Sequence, residues 1–163
     1  MAKKYRNLIG RIVADDNMLA AYRRTAAGRR LSTGYLEFKE FSPLNLDRLA
    51  ADMASGAYRP GAQREFMIYD PKLRLISALP FRDRVAQHAV CRVIEPIFDA
   101  TLLPRSFACR KGKGTHAGVV ALQAELRRLT RDGASLYALK TDFSRYFASI
   151  ERPVLWRMIE AKI

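Results

Sequence analysis

An α+β fold, mostly helical with one β-hairpin, is indicated by three features of the sequence. Apolar residues recur at helical spacing in several segments, as in amphipathic helices. Two strand-like runs flank the turn Asp70-Pro71-Lys72, which predicts a hairpin. A short apolar run at 135–141 then precedes a final helix. The chain has 163 residues, 49% of them hydrophobic, and this composition is typical of an ordinary globular domain.

Two helices are predicted in the first third of the chain. The first covers residues 16–28 and has an acidic start. In the second, Ser42 is the candidate N-cap, Pro43 lies at the first helical position and Gly56 ends the helix. Its apolar face contains Leu44, Leu46, Leu49 and Met53. Residues 29–41 mix basic and aromatic side chains, and their pattern assigns no element.

The middle of the chain predicts the hairpin and two further helices. Its strands are expected at 64–69 and 74–79. A long helix follows at 82–98, and Pro96 is expected at a bend or in its last turn. After a basic, glycine-rich loop, Thr115 is expected to cap the next helix.

Basic residues outnumber acidic ones, 29 Lys and Arg against 16 Asp and Glu, which gives a net charge of +13. There are 21 Arg and 8 Lys, spread along the chain rather than gathered in a tail. Arg binds phosphate through a planar fork of donors, so this pattern predicts a basic groove for nucleic acid. The alternative is a solvated surface with incidental affinity for polyanions.

The same composition argues against a membrane or secreted setting. No apolar run approaches the roughly 20 residues that span a bilayer, and no signal peptide is found. The two cysteines, Cys91 and Cys109, form neither a disulfide framework nor a zinc site. We therefore expect a soluble protein in the reducing environment of the cytoplasm.

The carboxylate of Asp142 is the candidate ligand for a divalent metal. Residues 135–141 predict a buried strand that leads directly to Asp142. A carboxylate at the end of a strand can hold a divalent metal against a phosphate, with the Phe143 carbonyl as a second ligand. Tyr146 and Phe147 would then line a nucleotide pocket. The alternative is an aspartate that caps a turn beside core aromatics.

Three segments, in this order along the chain, resemble motifs of reverse transcriptases. Residues 70–89 resemble the fingers hairpin, residues 106–116 the arginine and glycine-rich loop that follows it, and residues 138–150 the first palm motif. The chain is most similar to the bacterial group II intron and retroelement branch, above all to polymerases of diversity-generating retroelements. The similarity covers nearly all 163 residues, and three ordered motifs are far more specific than one.

The resemblance implies an incomplete right-hand polymerase. Residues 1–134 would form an N-terminal extension and mostly helical fingers with the hairpin, and residues 135–163 the first strand and helix of the palm. Asp142 matches the catalytic, metal-binding aspartate, with Phe143 contributing its backbone. Phe147 matches the aromatic gate that favours deoxynucleotides, and Tyr146 would line the same pocket.

The resemblance also assigns roles to the basic residues. Lys72 and Arg74 match fingers cations that hold the incoming triphosphate. Without the family resemblance, these two residues are equally well explained as surface charge. Arg110, Lys111 and Lys113 match the loop that contacts template or nucleotide, and the alternative is charge at the entry to a helix. His88 and His116 lack a second ligand at metal-binding spacing, which favours packing or capping.

The implied activity is RNA-directed DNA synthesis. Its cofactor would be Mg²⁺, with Mn²⁺ as the alternative ion, and its partners an RNA template, a DNA primer and dNTPs. The retroelement likeness further implies errors at template adenines and a basic pentameric accessory protein. The sequence contains no Y-x-D-D segment, which supplies further metal ligands in this family. We therefore expect the chain alone to bind template–primer without extending it.

Two other functions remain open from the sequence. One is a degenerate or truncated module that binds RNA through its basic groove without catalysis. The other is an unrelated structural RNA-binding protein, which would require three coincidental motifs.

Overall fold

The computed structural model describes residues 5–131, 133 and 135–163. Over these residues the chain is α+β, with eight helices and a two-stranded antiparallel hairpin. In chain order the elements are α1 (Leu8–Ile12), α2 (Asp15–Ala26), α3 (Thr33–Glu40), α4 (Ser42–Ser55), β1 (Arg64–Tyr69), β2 (Leu73–Ala78), α5 (Phe81–Asp99), α6 (Thr115–Leu129), α7 (Tyr146–Ser149) and α8 (Arg152–Lys162).

The chain divides into two compact units. The first, called the helical unit below, comprises Arg6–Phe98 and contains the hairpin. The second, the C-terminal unit, contains Asp99–Ile163. The boundary predicted after residue 134 falls inside the C-terminal unit. None of the helices in the described ranges is both long enough and apolar enough to cross a membrane.

Four aromatic rings form the centre of the helical unit. Tyr22, Tyr35, Phe38 and Phe81 come from α2, α3 and α5, and their ring centroids lie 5.3–6.2 Å apart. Stacked and edge-on pairs at such distances add to the stabilisation from burial. The core around them also includes Ile12, Met18, Ala21, Ala26, Leu49, Val85, Ala86, Ala89 and Val93. The aromatic cluster therefore joins the three helices.

A buried asparagine also ties the helices together. Asn17 donates its side-chain amide to the carbonyls of Ile12, at 2.7 Å, and Ala89, at 3.0 Å. Its Oδ1 accepts a hydrogen bond of 3.0 Å from Nε of Arg92. A buried amide whose donors and acceptor are all engaged specifies one packing arrangement. Asn17 thus connects α1 and α2 to α5.

The N-terminal helices differ from the predictions in four places. The sequence predicted no helix at α1, and α2 ends at Ala26 rather than at residue 28. Residues 33–40, which the sequence left unassigned, form α3, because burial of Tyr35 and Phe38 on one side outweighs weak local preferences. Ser42 is the first residue of α4 and not its cap, and no side chain caps this helix. The physical reason is that α3 continues to Glu40 and leaves Phe41 alone between the two helices.

The hairpin and the long helix are confirmed. β1 and β2 pair in the register Arg64↔Ala78 to Tyr69↔Leu73. The long helix α5 extends one residue beyond the prediction at each end, and Pro96 lies in its last turn. The hairpin therefore leads directly into the helix that carries much of the core.

The strand predicted at 135–141 is not formed, and this prediction is wrong for the chain as described. Residues 135–143 are neither strand nor helix and are exposed, with Leu139 at 91%. A strand is stabilised by hydrogen bonds to a neighbour and by burial of its side chains. Within the described residues, only β1 and β2 pair, and they pair with each other. Residues 135–141 therefore have no strand partner among the described residues.

The base of the hairpin is fixed by a buried carboxylate. Asp83, 2% exposed, accepts a 2.9 Å hydrogen bond from the Tyr58 hydroxyl and a 2.8 Å bond from the Gly61 N–H. Arg82 beside it pairs with Asp52 on α4 at 2.6 Å. These bonds connect the segment before β1 to the start of α5 and to α4. They hold the hairpin at a defined place on the helical unit.

This network predicts a loss of stability at alkaline pH. Burial, followed by the hydrogen bond to Asp83, raises the pKa of Tyr58 from 10.0 to about 12. Between these values the folded protein keeps a phenolic proton that the unfolded chain has released. The stabilisation is complete below pH 10, and we expect it to be lost as the pH rises toward 12.

The measurement is the free energy of unfolding in denaturant across this pH interval. The control is Tyr58→Phe, which cannot titrate at this position and should show a shallower fall over the same interval. An equal fall in the variant and the native protein would contradict the assignment to Tyr58.

Candidate nucleic-acid interface

The hairpin presents the two predicted fingers cations near its tip. Lys72 lies in the turn, where the Asp70 N–H donates to its carbonyl at 3.2 Å, and Arg74 lies opposite Ile68. Both side chains are exposed, and neither forms an ion pair with any residue that the structure describes. They are therefore free to meet an anion from solvent.

The two faces of the hairpin differ in burial. One face carries Arg64, Phe66, Ile68, Arg74, Ile76 and Ala78, of which Phe66, Ile76 and Ala78 are half-buried. The opposite face is exposed along its whole length and carries Glu65, Met67, Tyr69, Leu73, Leu75 and Ser77. The cations Arg64 and Arg74 thus share the face that lies partly against the protein.

Arg110 lies inside its loop rather than at the surface. Its guanidinium donates to both carboxylate oxygens of Asp99, at 2.6 and 3.2 Å, and to the Leu103 and Ser106 carbonyls, both at 3.0 Å. The hydrogen bond from Arg110 lowers the pKa of Asp99. With its donors engaged, Arg110 in this conformation fixes the loop between α5 and α6 and has little capacity left for a phosphate.

The two lysines of this loop differ from each other. Lys113 donates to the Pro104 carbonyl and lies 5.4 Å from the centroid of the Phe107 ring, so it too is held by the loop. Lys111 is exposed. The loop turns sharply here, with Cys109 and Gly112 in the left-handed region. Of the three basic residues predicted to contact nucleic acid, Lys111 is the most available.

Asp142 lies beside an exposed aromatic group. Phe143, Tyr146 and Phe147 are 76%, 55% and 87% exposed, and Tyr146 contacts both neighbours, with ring centroids 6.3 and 5.2 Å away. Asp142 itself is exposed and pairs with no cation among the described residues. Because the strand predicted at 135–141 is not formed, Asp142 does not lie at a strand end, and the three exposed rings are not the core aromatics of the turn-capping alternative. The carboxylate and the three rings instead form a solvent-facing group.

A basic surface lies on the helical unit around the end of α2 and the segment that follows, with Lys39 from α3 and Arg84 from α5. It contains Arg23, Arg24, Arg29, Arg30, Lys39 and Arg84. Arg23, Arg30 and Lys39, together with Tyr22 and Tyr35, line a cavity of about 270 Å³. The sequence predicted basic residues spread along the chain but did not predict that these would lie together in one site. The doublets at 23–24 and 29–30 were the signal in the sequence that could have indicated this site.

The titration of His88 reflects this concentration of charge. Burial lowers its pKa, and Arg24, Arg29 and Arg84 lower it further. Three cations therefore act on one imidazole. A surface with this electrostatic character attracts polyanions.

Comparisons with known proteins give a distant similarity. No family model matches the chain. The chain is similar to Protein YkfC of Escherichia coli strain K12, with 24% identity over 124 residues. The matched part covers 74% of this chain and 32% of YkfC. This chain therefore spans about a third of the length of the curated protein that it matches.

Proposed function

We propose that this chain is the fingers and the beginning of the palm of an RNA-directed DNA polymerase. The three motifs in family order support the proposal. The observation that carries it is the hairpin, which forms at the predicted residues and leaves Lys72 and Arg74 exposed at its tip without ion pairs among the described residues. In this proposal, the two cations bind the triphosphate of an incoming dNTP.

Asp142 is the proposed anchor for magnesium. Its carboxylate and the Phe143 carbonyl are hard oxygen donors of the kind that Mg²⁺ prefers. Within the described part of the chain, no group of three or more His, Cys, Asp or Glu side chains gathers to hold a metal. The donor set thus fits one part of a magnesium site, with nucleotide phosphates, water and further carboxylates as the other ligands. When bound, the ion would neutralise charge that develops on the transferred phosphoryl group.

Phe147 would select the sugar in this proposal, and Tyr146 would line the same pocket. A large ring beside the 2′ position excludes a hydroxyl by steric overlap, so deoxynucleotides would bind better than ribonucleotides. The exposure of both rings leaves them accessible to a nucleotide. The implied partners are an RNA template, a DNA primer, dNTPs and a basic pentameric accessory protein.

A second candidate is an RNA-binding module without catalysis. The observation that favours it is the basic surface of the helical unit, which needs no magnesium or nucleotide to bind a phosphate backbone. Under either function, the affinity for RNA should fall at least about tenfold between 50 and 200 mM salt. Salt dependence alone therefore does not separate the two.

Binding of Mg²⁺·dNTP to hairpin variants separates them. We expect Lys72→Ala and Arg74→Ala each to weaken dNTP binding by about tenfold or more, because each removes a charge-assisted hydrogen bond to the triphosphate. The measurement is isothermal titration calorimetry with the purified chain, followed by fluorescence anisotropy with single-stranded RNA.

The matched control is Arg48→Ala, which removes an exposed cation from α4 and should leave dNTP affinity unchanged. Equal losses of RNA and dNTP affinity in the hairpin variants would indicate a general polyanion surface. Absence of any effect on dNTP binding would favour the module without catalysis.

A further inference from the structure

A cavity of about 280 Å³ lies at the base of the hairpin, within the helical unit. The start of α3, the open end of the hairpin and the start of α5 all contribute to its wall. Its lining includes Ser32, Thr33, Gly34, Arg64, Phe81 and Arg84. The cavity is large enough for a hydrated anion, since one water occupies about 30 Å³ in the liquid.

Arg84 lines this cavity and has one unsatisfied donor. Its Nε is buried and has no hydrogen-bond partner among the described residues, and its guanidinium carbon lies 6.0 Å from the centroid of the Phe81 ring. No described carboxylate lies within ion-pair distance of Arg84. A buried donor without an acceptor is costly, and in native proteins it is commonly satisfied by a bound water or ion.

The first turn of α3 supplies further donors. The Ser32 hydroxyl donates to the Arg29 carbonyl at 2.9 Å, and no side chain caps the helix. The first N–H groups of a helix have no partner within it and carry the positive end of its dipole. Thr33 and Gly34, which carry these groups, both line the cavity.

The first turn of α3 lies close to α5. A Cβ added to Gly34 would lie 3.4 Å from Cβ of Phe81, which is van der Waals contact. The α3 amides therefore lie near the first turn of α5, where Arg84 is found. Two kinds of donor, from segments 50 residues apart in the chain, converge on one cavity.

The electrostatic surroundings point to an anion. Burial lowers the pKa of Arg84, and the positive charge of Arg29 lowers it further. Arg64 forms another part of the wall. Arg29 and Arg84 repel each other, and an anion bound beside Arg84 would relieve this repulsion.

We propose that this cavity binds a phosphate group of a nucleic-acid backbone, through the guanidinium groups of Arg84 and Arg64 and the backbone N–H groups at the start of α3. The proposal rests on the proposed nucleic-acid-binding function and adds a second phosphate site to it. A backbone phosphate fits better than a free ion because Arg64 shares a hairpin face with Arg74, about 14 Å along the strand. A strand crossing this face would meet both cations.

The first test is RNA binding by Arg84→Gln, with a short single-stranded RNA of mixed sequence and fluorescence anisotropy as the readout. We expect an affinity loss of about tenfold or more and a salt dependence whose slope falls by about one. Arg84→Lys keeps the charge but loses the planar fork of donors. Its RNA affinity should lie between those of the native protein and Arg84→Gln. The matched control is Arg48→Gln on α4, whose loss should be smaller than twofold.

Thr33→Glu keeps the test decisive if Arg84→Gln does not fold. A glutamate in the first turn favours the helix dipole, so the melting temperature should be unchanged or higher. Its tethered carboxylate would occupy the cavity in place of phosphate, and RNA affinity should again fall by about tenfold. The control for the change in net charge is Ala51→Glu, at an exposed position of α4.

Inorganic phosphate and Mg²⁺·dNTP distinguish the sources of the phosphate. Weak competition by inorganic phosphate against RNA, lost in Arg84→Gln, is expected. Unchanged dNTP affinity in Arg84→Gln is also expected, since Lys72 and Arg74 are the proposed triphosphate ligands.

The proposal is overturned if neither Arg84→Gln nor Thr33→Glu weakens RNA binding more than its control. It is equally overturned if a folded Arg84→Gln protein loses affinity for phosphate or dNTP while RNA binding is unaffected. Failure of the proposed polymerase function has a different signature. In that case Lys72→Ala and Arg74→Ala leave dNTP binding unchanged, whatever the Arg84 variants do.

Discussion

Replacing Asp83 with alanine is expected to lower the free energy of unfolding of the helical unit by about 2–6 kcal/mol. The carboxylate is 2% exposed and accepts hydrogen bonds from the Tyr58 hydroxyl and the Gly61 N–H. Alanine leaves both donors without an acceptor in a partly buried place, at about 1–3 kcal/mol each. The segment before β1 should detach from α5, and the hairpin should lose its defined position.

The measurement is unfolding in denaturant, followed by circular dichroism. Asp83→Asn, which keeps one acceptor, should lose less stability than alanine. Tyr58→Phe removes one of the two bonds and should cost about 1 kcal/mol. Asp47→Ala, at an exposed position of α4, should change stability by less than about 0.5 kcal/mol. An Asp83→Ala effect no larger than that of Asp47→Ala would contradict the role given to this network.

Asp142→Asn is expected to lower nucleotide incorporation about a thousandfold. The effect is expected in a longer polypeptide that contains both this chain and a Y-x-D-D segment. The substitution keeps the size of the side chain and removes the charge that would hold magnesium in the proposed site. Metal ions supply several kcal/mol of transition-state stabilisation, and each loss of about 1.4 kcal/mol lowers the rate tenfold. Because Asp142 is exposed and makes no ion pair within the described residues, the melting temperature should not change.

Primer extension on an RNA template measures this effect. Glu151→Gln is the matched control, because it neutralises another exposed carboxylate of the C-terminal unit. The 163-residue chain alone should bind template–primer and leave the primer unextended. Full activity of Asp142→Asn would refute the magnesium role. Extension by the chain alone that disappears in Asp142→Ala would instead refute the need for further carboxylates.

Much of the fold follows from local patterns. The apolar spacing of α4 and α5 and the turn chemistry at 70–72 predicted the right elements because each pattern reports burial of one face or a tight turn. The helix α3 was missed, since eight residues make a marginal helix without the core that holds Tyr35 and Phe38. The strand at 135–141 was predicted wrongly for a related reason: an apolar run becomes a strand only beside a partner.

The candidate site was predictable in part. The turn sequence places Lys72 at a hairpin tip, and the structure has it there. The role of Arg110 as a nucleic-acid ligand stays a prediction; in this structure its guanidinium is engaged by Asp99 and two carbonyls, which the sequence did not indicate. Nothing in the residues around Arg84 indicated that its Nε would be buried without an acceptor.

Local chemistry, read along the chain, is enough to establish that this protein is basic, that it has a hairpin with cations near its tip, and that aromatic residues follow Asp142. Only the structure shows that these aromatic rings are exposed. Which acceptor each arginine pairs with depended on how the helices pack. Arg82 donates to Asp52, thirty residues away, and Arg110 donates to Asp99, whereas the buried Nε of Arg84 has no acceptor among the described residues. A guanidinium is satisfied only by an oxygen within about 3 Å, and distances that short between segments far apart in the chain arise when helices pack against one another.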